Sequence, residues 1–237
     1  MFFWNKVKLS ESGVLNGFTD WHSHILPGVD DGVRKIEDSI RILELYESLG
    51  VSRVWCTPHI KEAFPNVPAE LLARFNDLCT AWGGNVELHL ASENMMDTIL
   101  DERLEQGMLL PLGNGLLVEA SFYGPPFDME GLLERVRCRG LFPILAHPER
   151  YDYMTDSEYE RLKGDGVLFQ LNLPALAGFY GSTAKDKAES FLKRGWYDFA
   201  GLDLHSYNSL KNILSLAVPD KTAERIAALR GYESIEA

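Results

Sequence analysis

Short apolar runs alternating with amphipathic helical stretches constrain this 237-residue chain more than any other feature. Seven runs rich in β-branched and aromatic residues, at 18–21, 53–57, 86–91, 116–120, 142–146, 167–172 and 198–201, have the length and pattern of buried strands. The spacing predicts helices over about 36–49, 69–82, 129–139, 157–163, 184–194, 209–217 and 221–230. In the first of these, Ile36, Ile40, Leu43 and Leu49 fall on one face and Glu37, Arg41, Glu44 and Glu47 on the other, with Gly50 placed to end the helix. Repeated strand–helix units favour a parallel sheet, and seven of them point to a barrel-like α/β fold over an open sheet.

A single domain over residues 1–237 is expected, because α/β barrels routinely use this length as one unit. Residues 1–17 precede the first strand as an N-terminal extension, in which Phe2, Phe3 and Trp4 favour packing over a free arm. Asn5, Lys6 and Lys8 interrupt the apolar start before a signal core or membrane span could form, so a cytoplasmic protein without stable membrane insertion is expected. A formal net charge of −12 argues against nucleic acid or an anionic membrane as partner, since both are held mainly by Lys and Arg. Cys56, Cys79 and Cys138 are odd in number and lack metal-ligand spacing, which predicts buried free thiols and no disulfide.

Five of the six histidines stand at or just beyond the C-terminal end of a strand pattern, where parallel α/β folds build their sites. His22 and His24 follow the first strand, His59 the second, His147 the fifth and His205 the seventh. Glu93 follows the third, Glu119 ends the fourth, and Asp203 stands two residues before His205. In an extended segment the period of two in His22-Ser23-His24 turns both imidazoles to one side, as a shared cation requires. Ligand-type residues at six separate strand ends point to metal binding. His89 lies inside the third strand pattern and is read as structural.

The segments 22–32 (HSHILPGVDDG), 57–59 (TPH), 91–93 (ASE), Glu119, 146–151 (AHPERY) and 203–205 (DLH) resemble the PHP (polymerase and histidinol phosphatase) superfamily, and within it the bacterial capsule-type protein tyrosine phosphatases. Leu202 stands where that family usually has Ser, and Asn94 where Tyr is expected; neither removes a ligand type. The resemblance implies a distorted seven-stranded (β/α)7 barrel with three divalent ions, manganese foremost and iron or zinc as alternatives. It implies one ion held by His22, His24, Glu93 and Asp203, a second by Glu93, Glu119 and His147, and a third by Asp31, His59 and His205. Sequence leaves both Asp30 and Asp31 open; alignment with the family favours Asp31, with Asp30 ordering the loop. Arg150, His147 and Asp31 are the implied catalytic residues. The implied substrate is a phosphotyrosine protein, a tyrosine autokinase of capsule or exopolysaccharide synthesis, and association with further copies of the chain is left open.

Charge agrees with this picture, because three dications against the carboxylates of Asp31, Glu93, Glu119 and Asp203 leave about +2 to meet a phosphomonoester dianion. Arg150 could clamp phosphate through two parallel hydrogen bonds; a surface arginine pairing with Glu149 or Asp152 is the plainer alternative. Cysteine-based phosphatases need an arginine six residues after the nucleophile, and Glu62, Asn85 and Ile144 occupy those positions. No Gly-x-x-x-x-Gly-Lys-Ser/Thr loop occurs. Loops such as 61–68 and 122–127 set the substrate, and Phe64, Tyr123, Phe127 and Tyr180 could wall a phosphotyrosine ring or simply pack. Two other readings compete: a phosphatase of a small phosphomonoester such as histidinol phosphate, and a non-catalytic regulatory module stabilised by metal.

Overall fold

The computed structural model describes residues 6–229. Its strands are β1 (Lys6–Lys8), β2 (Thr19–Ser23), β3 (Arg53–Cys56), β4 (His59–Ile60), β5 (Glu87–Leu90), β6 (Glu93–Met95), β7 (Gly115–Glu119), β8 (Phe142–Ala146), β9 (Leu168–Asn172), β10 (Phe199–Gly201) and β11 (Ala217–Pro219). The helices are α1 (Ile36–Ser48), α2 (Pro68–Ala81), α3 (Leu100–Gln106), α4 (Met129–Cys138), α5 (Asp156–Gly164), α6 (Leu173–Leu176), α7 (Ser182–Arg194), α8 (Tyr207–Leu214) and α9 (Asp220–Ala228).

Parallel strands curl into a half-barrel within a mixed α/β fold. One run has the order β10-β9-β8-β7-β6-β4 and another β2-β3-β5, both parallel. They join where Ala91 N–H donates to Cys56 O and Glu93 N–H to Pro58 O, each near 3 Å. At the far side Asp203 N–H donates to His22 O at 2.8 Å and His24 N–H to Leu204 O at 2.9 Å, so the chain beyond β10 runs beside β2.

The expected strand 53–57 is β3, and beyond Pro58, a residue that has no N–H for a ladder, the chain resumes as the further strand β4. The third expected strand likewise continues as β6 after Ser92, whose N–H leaves the ladder for Leu110 O at 3.0 Å. Helices α3 and α6, too short for periodicity to reveal, add to the seven expected. The helix expected at 209–217 starts earlier, at Tyr207, because Ser206 Oγ accepts from Ser209 N–H at 3.1 Å; it ends at Leu214 and residues 217–219 become a strand antiparallel to β1. The final residue of the helix expected at 221–230, like Phe2, Phe3 and Trp4, lies outside the described residues.

Helix α1 buries Ser39, Ile42, Leu43 and Tyr46, so its core stripe is rotated from the expected one. The reason is polar: the Tyr46 hydroxyl donates to Asp20 Oδ2 at 2.7 Å, which turns that side of the helix inward. Of the three cysteines, expected buried, only Cys56 is; Cys79 and Cys138 lie on the exposed sides of α2 and α4, and all three are free. Among the described residues no helix is long and apolar enough to cross a membrane.

The main core reaches from Leu9 and Leu15 to Val218 and Ile226, so the segment before β2 and the last helix share it. A smaller cluster of Trp21, Trp55, Leu117, Ile144 and Phe199 lies apart from it, with Trp21 stacked on Trp55 at 6.0 Å and edge-on to Phe199 at 5.0 Å. The register of β2 against β3 shifts between Asp20 and Ser23, setting Trp21 and His22 together opposite Trp55. Such a bulge re-aims side chains. Consecutive residues of β2 serve two layers, Trp21 the apolar cluster and His22 the polar one next to it.

Candidate metal centre

Eight of the nine residues singled out as ligands stand at or just beyond the ends of parallel strands, Asp31 joins them from the loop after β2, and the fold brings all nine into four overlapping groups. His22, His24 and Asp203 form one; His22, Glu93 and His147 another; His59, Glu93 and Glu119 a third; and His24, Asp31, His59 and His205 a fourth. Within each, one donor atom per residue lies within 4.8 Å of the others. The grouping departs from the one implied by resemblance: Glu119 sits with His59 rather than with His147, His22 joins Glu93 and His147, and His24 joins Asp31, His59 and His205. His59 Nδ1 is 3.0 Å from Glu119 Oε1 and 2.9 Å from Glu93 Oε2, whereas His147 Nε2 meets the other Glu93 oxygen at 3.0 Å.

Hydrogen bonds behind the cluster set the histidine tautomers. Gln170 Oε1 accepts from His22 Nδ1 at 2.9 Å, and Asp30 Oδ2 accepts from His24 Nδ1 at 2.8 Å. With Nδ1 carrying hydrogen, each ring turns an Nε2 lone pair inward. The two Nε2 atoms are 3.1 Å apart, a repulsive approach unless a positive charge lies close to both. His59 Nδ1, Glu93 Oε2, Glu119 Oε1 and His147 Nδ1 are buried without a hydrogen-bond partner. Buried polar atoms left this way are costly. The residues present therefore fit a divalent cation centre, hard carboxylates and imidazoles being the donors such ions prefer.

Electrostatics point the same way. Burial would depress His22, but the charges of Glu93 and Asp203 raise its pKa overall. Burial likewise opposes the charge of His59, yet Glu93 leads the effects that push it up to about 9. The same positive neighbours hold Glu93 and Asp203 well below the usual carboxylate range, against their burial. Burial lowers His147, with Arg150 nearby adding to the effect, and lowers His205, to which His24 adds.

The two adjacent aspartates divide their work. Asp30 holds His24, accepts from His59 N–H at 3.0 Å and closes its own loop by accepting from Gly32 N–H at 2.9 Å. Gly32 lies so close to His24 that a Cβ there would strike the histidine's backbone oxygen and Cβ. Asp31 instead faces His59 and His205, at 3.5 and 3.7 Å.

His147 and Asp203 are the two non-glycine residues with positive φ among those described, 35° and 48°. Such conformations cost about 1–3 kcal/mol each and persist where surrounding structure imposes them. At His147 the N–H reaches Gln170 Oε1 at 3.3 Å, and at Asp203 the N–H reaches His22 O. At the end of β10, a Cβ on Gly201 would lie 2.6 Å from His22 Cβ, so only glycine lets the two segments approach this closely.

Arg150 lies at the rim. Its Nη1 donates to Asp203 Oδ2 at 3.1 Å, and its guanidinium sits between the rings of Phe122 and Tyr180, 4.0 and 4.2 Å from their centroids. It pairs with neither Glu149 nor Asp152; Glu149 is buried and accepts from Asn172 N–H and Tyr197 O–H. Of the four aromatics considered for a wall, Phe64 stacks on His59 at 6.2 Å and Tyr180 on Arg150, while Tyr123 and Phe127 are fully exposed. His89 lies away from the centre, stacked on Trp55 at 4.7 Å.

Sequence reasoning missed Asp20, Phe122, Gln170 and Asn172. Asp20 is fully buried and accepts from His22 N–H at 3.3 Å and Leu202 N–H at 2.9 Å, tying together the two segments that carry His22 and Asp203. Asn172 Nδ2 donates to Asp203 Oδ2 at 2.9 Å. For Asp20, Gln170 and Asn172 the available signal was a polar residue inside an otherwise apolar strand pattern.

Curled parallel strands ending in a buried histidine–carboxylate centre define an α/β protein of the PHP type. Residues 18–218 match the family described as "Capsular polysaccharide synthesis, CpsB/CapC", and the chain belongs to that family. Among similar proteins, the tyrosine-protein phosphatase YwqE of Bacillus subtilis is 27% identical over 79% of this chain and 77% of its own. The tyrosine-protein phosphatase CpsB of Streptococcus pneumoniae is 26% identical over 90% of this chain and 93% of its own. A solved structure from work on those two proteins, described as unique metal-dependent tyrosine phosphatases, shares the fold with a TM-score of 0.75 at 24% identity, covering 92% of this chain and 90% of the other.

Proposed function

We propose that this chain is a metal-dependent protein tyrosine phosphatase acting on phosphotyrosine of a bacterial tyrosine kinase linked to capsule or exopolysaccharide synthesis. The observation that carries the reading is Arg150, fixed at the edge of a cation centre with one hydrogen bond to Asp203 and its remaining N–H groups free of described partners. The names of the relatives support the substrate class.

In this reading the nine residues His22, His24, Asp31, His59, Glu93, Glu119, His147, Asp203 and His205 hold three divalent ions, manganese foremost. Glu93 belongs to two of the groups, as a bridging carboxylate would. Bound there, such ions supply positive charge to the phosphoryl oxygens and acidify water for in-line attack. Arg150 grips the phosphoryl group through N–H donors pointing away from Asp203, and is ready to do so because Phe122 and Tyr180 fix its plane. Gln170 and Asp30 hold the Nδ1 hydrogens of His22 and His24, so that the neutral rings would turn Nε2 toward the ions.

The same proposal takes residues 1–237 as one cytoplasmic domain with 1–17 as an extension, and takes the staves β2, β3–β4, β5–β6, β7, β8, β9 and β10 as the seven strands of a distorted barrel. The bonds between His22, His24 and the 203–204 segment support the closure.

Hydrolysis of a phosphotyrosine peptide and of histidinol phosphate, each with Mn²⁺ and with EDTA, tests the function. Metal-dependent turnover favouring the peptide is the expected result. A preference for histidinol phosphate, or no turnover with metal demonstrably bound, would overturn it.

A further inference from the structure

A groove of about 570 Å³ opens directly beside the centre, with Asp31 and His205 at its inner end and Arg34, Lys35, Tyr207 and Asn208 along it. Its charges are distributed unevenly. Asp38 is engaged by Arg41, whose Nη1 lies 3.2 Å from it and whose guanidinium covers the Tyr207 ring at 4.2 Å. Asp31 faces the His59 and His205 imidazoles. Arg34 and Lys35 are exposed, and among the described residues their side chains have no hydrogen bond or ion pair. In a chain with 35 acidic and 23 basic residues, two uncommitted cations next to the centre are a local exception to a field that repels anions.

We infer that this groove is a subsite for an acidic stretch of the substrate polypeptide, flanking the phosphorylated tyrosine and read by Arg34 and Lys35. The inference rests on the phosphatase reading and adds sequence preference to it. A polypeptide whose phosphorylated side chain reaches the centre must run away from it across the surface, and the Asp31–His205 edge opens into this groove. Carboxylates passing there meet charges that no protein group has neutralised. Arg41 is already taken up by Asp38 and the Tyr207 ring, which leaves Arg34 and Lys35 as the groove's cations free to read an acidic segment.

Exposed pairs of this kind each contribute a factor of about two to five. The test compares one phosphotyrosine peptide carrying glutamates on both sides of the tyrosine with the same peptide carrying glutamines, alongside p-nitrophenyl phosphate as a substrate too small to reach the groove. Wild-type protein loaded with Mn²⁺ is expected to prefer the acidic peptide about three- to tenfold in kcat/KM, mostly through KM, and to lose that preference in 0.5 M salt. An Arg34→Gln/Lys35→Gln variant is expected to keep p-nitrophenyl phosphate turnover, which shows that it is folded, and to treat both peptides alike. Equal turnover of the two peptides by wild type overturns the inference alone, as does a preference that survives in the double variant. Failure to hydrolyse any of the three substrates overturns the phosphatase reading itself.

Discussion

Arg150 Nη1 and Asp203 Oδ2 lie 3.1 Å apart, and this bond joins the phosphate-clamp candidate to a carboxylate of the cation centre. Asp203 is held independently, by Asn172 Nδ2 on the same oxygen and by the backbone bond from its own N–H to His22 O. Removing the arginine should therefore leave the centre standing. Arg150→Ala is expected to lower kcat on a phosphotyrosine peptide by about 10²–10³, the usual cost of losing one transition-state donor. Arg150→Lys should recover little, because an ammonium reproduces neither the planar fork nor the stacking between Phe122 and Tyr180. Bound metal, measured by elemental analysis, should stay at the wild-type level in both; its loss would show that Arg150 holds the centre together instead.

Metal and protons compete for the same imidazoles. His59 is raised from 6.5 to about 9 without metal, so its contribution to folding is fully present below pH 6.5 and is lost as pH rises through 9. Metal-free protein is thus expected to lose a few degrees of Tm between pH 6.5 and 9. Metal binding near pH 7.5 must displace protons, so calorimetry of Mn²⁺ binding in buffers of different ionisation enthalpy should report net proton release, with affinity rising with pH. Binding heats that do not depend on the buffer would exclude the protonated imidazoles.

Strand ends were legible because burial demands apolar runs, and functional residues sit where those runs stop. His22, His24, His147, Asp203 and His205 could all be placed that way, and the period of two in an extended chain accounts for the first pair. What sequence could not display is what crosses between strands. The bulge at Trp21 and His22 is a relation of β2 to β3, and Gln170 reads as an ordinary strand residue until the fold sets it under His22 and His147. The stripe on α1 was misplaced for the same reason, since the partner of Tyr46 is Asp20, 26 residues away. The break at Pro58 between β3 and β4 was readable in principle, from proline's missing donor.

Asp30 and Asp31 should separate cleanly under substitution. Asp31→Asn weakens a donor that faces His59 and His205 from a half-exposed side chain, so bound metal should fall by one equivalent with little change in Tm for the metal-free protein. Asp30→Asn disturbs three hydrogen bonds at once, to His24, His59 and Gly32. Its metal-free form should unfold more easily, by about 1–3 kcal/mol, and its metal affinity should weaken about 10–100-fold while stoichiometry at saturation is kept. The reverse pattern would make Asp30 the ligand.

Gln170 offers the sharpest separation of support from ligation, because its Oε1 accepts from the His22 ring and from the His147 backbone N–H, two histidines of the centre. Its Oε1 takes the Nδ1 hydrogen of His22, which leaves Nε2 as the inward donor. Gln170→Leu keeps much of the volume but strands that buried N–H, costing about 1–3 kcal/mol, and frees the ring to adopt the other tautomer. Mn²⁺ affinity is then expected to drop about 10–100-fold. Gln170→Glu retains an acceptor for the same hydrogen, and its added charge next to His22 should hold the imidazole's proton more tightly. Its affinity loss should accordingly be small at pH 8.5 and larger at pH 6.5, whereas the leucine variant should be impaired at both. Titrations of the two variants at those pH values decide the matter: identical pH behaviour would mean that Gln170 only fills space beneath the centre.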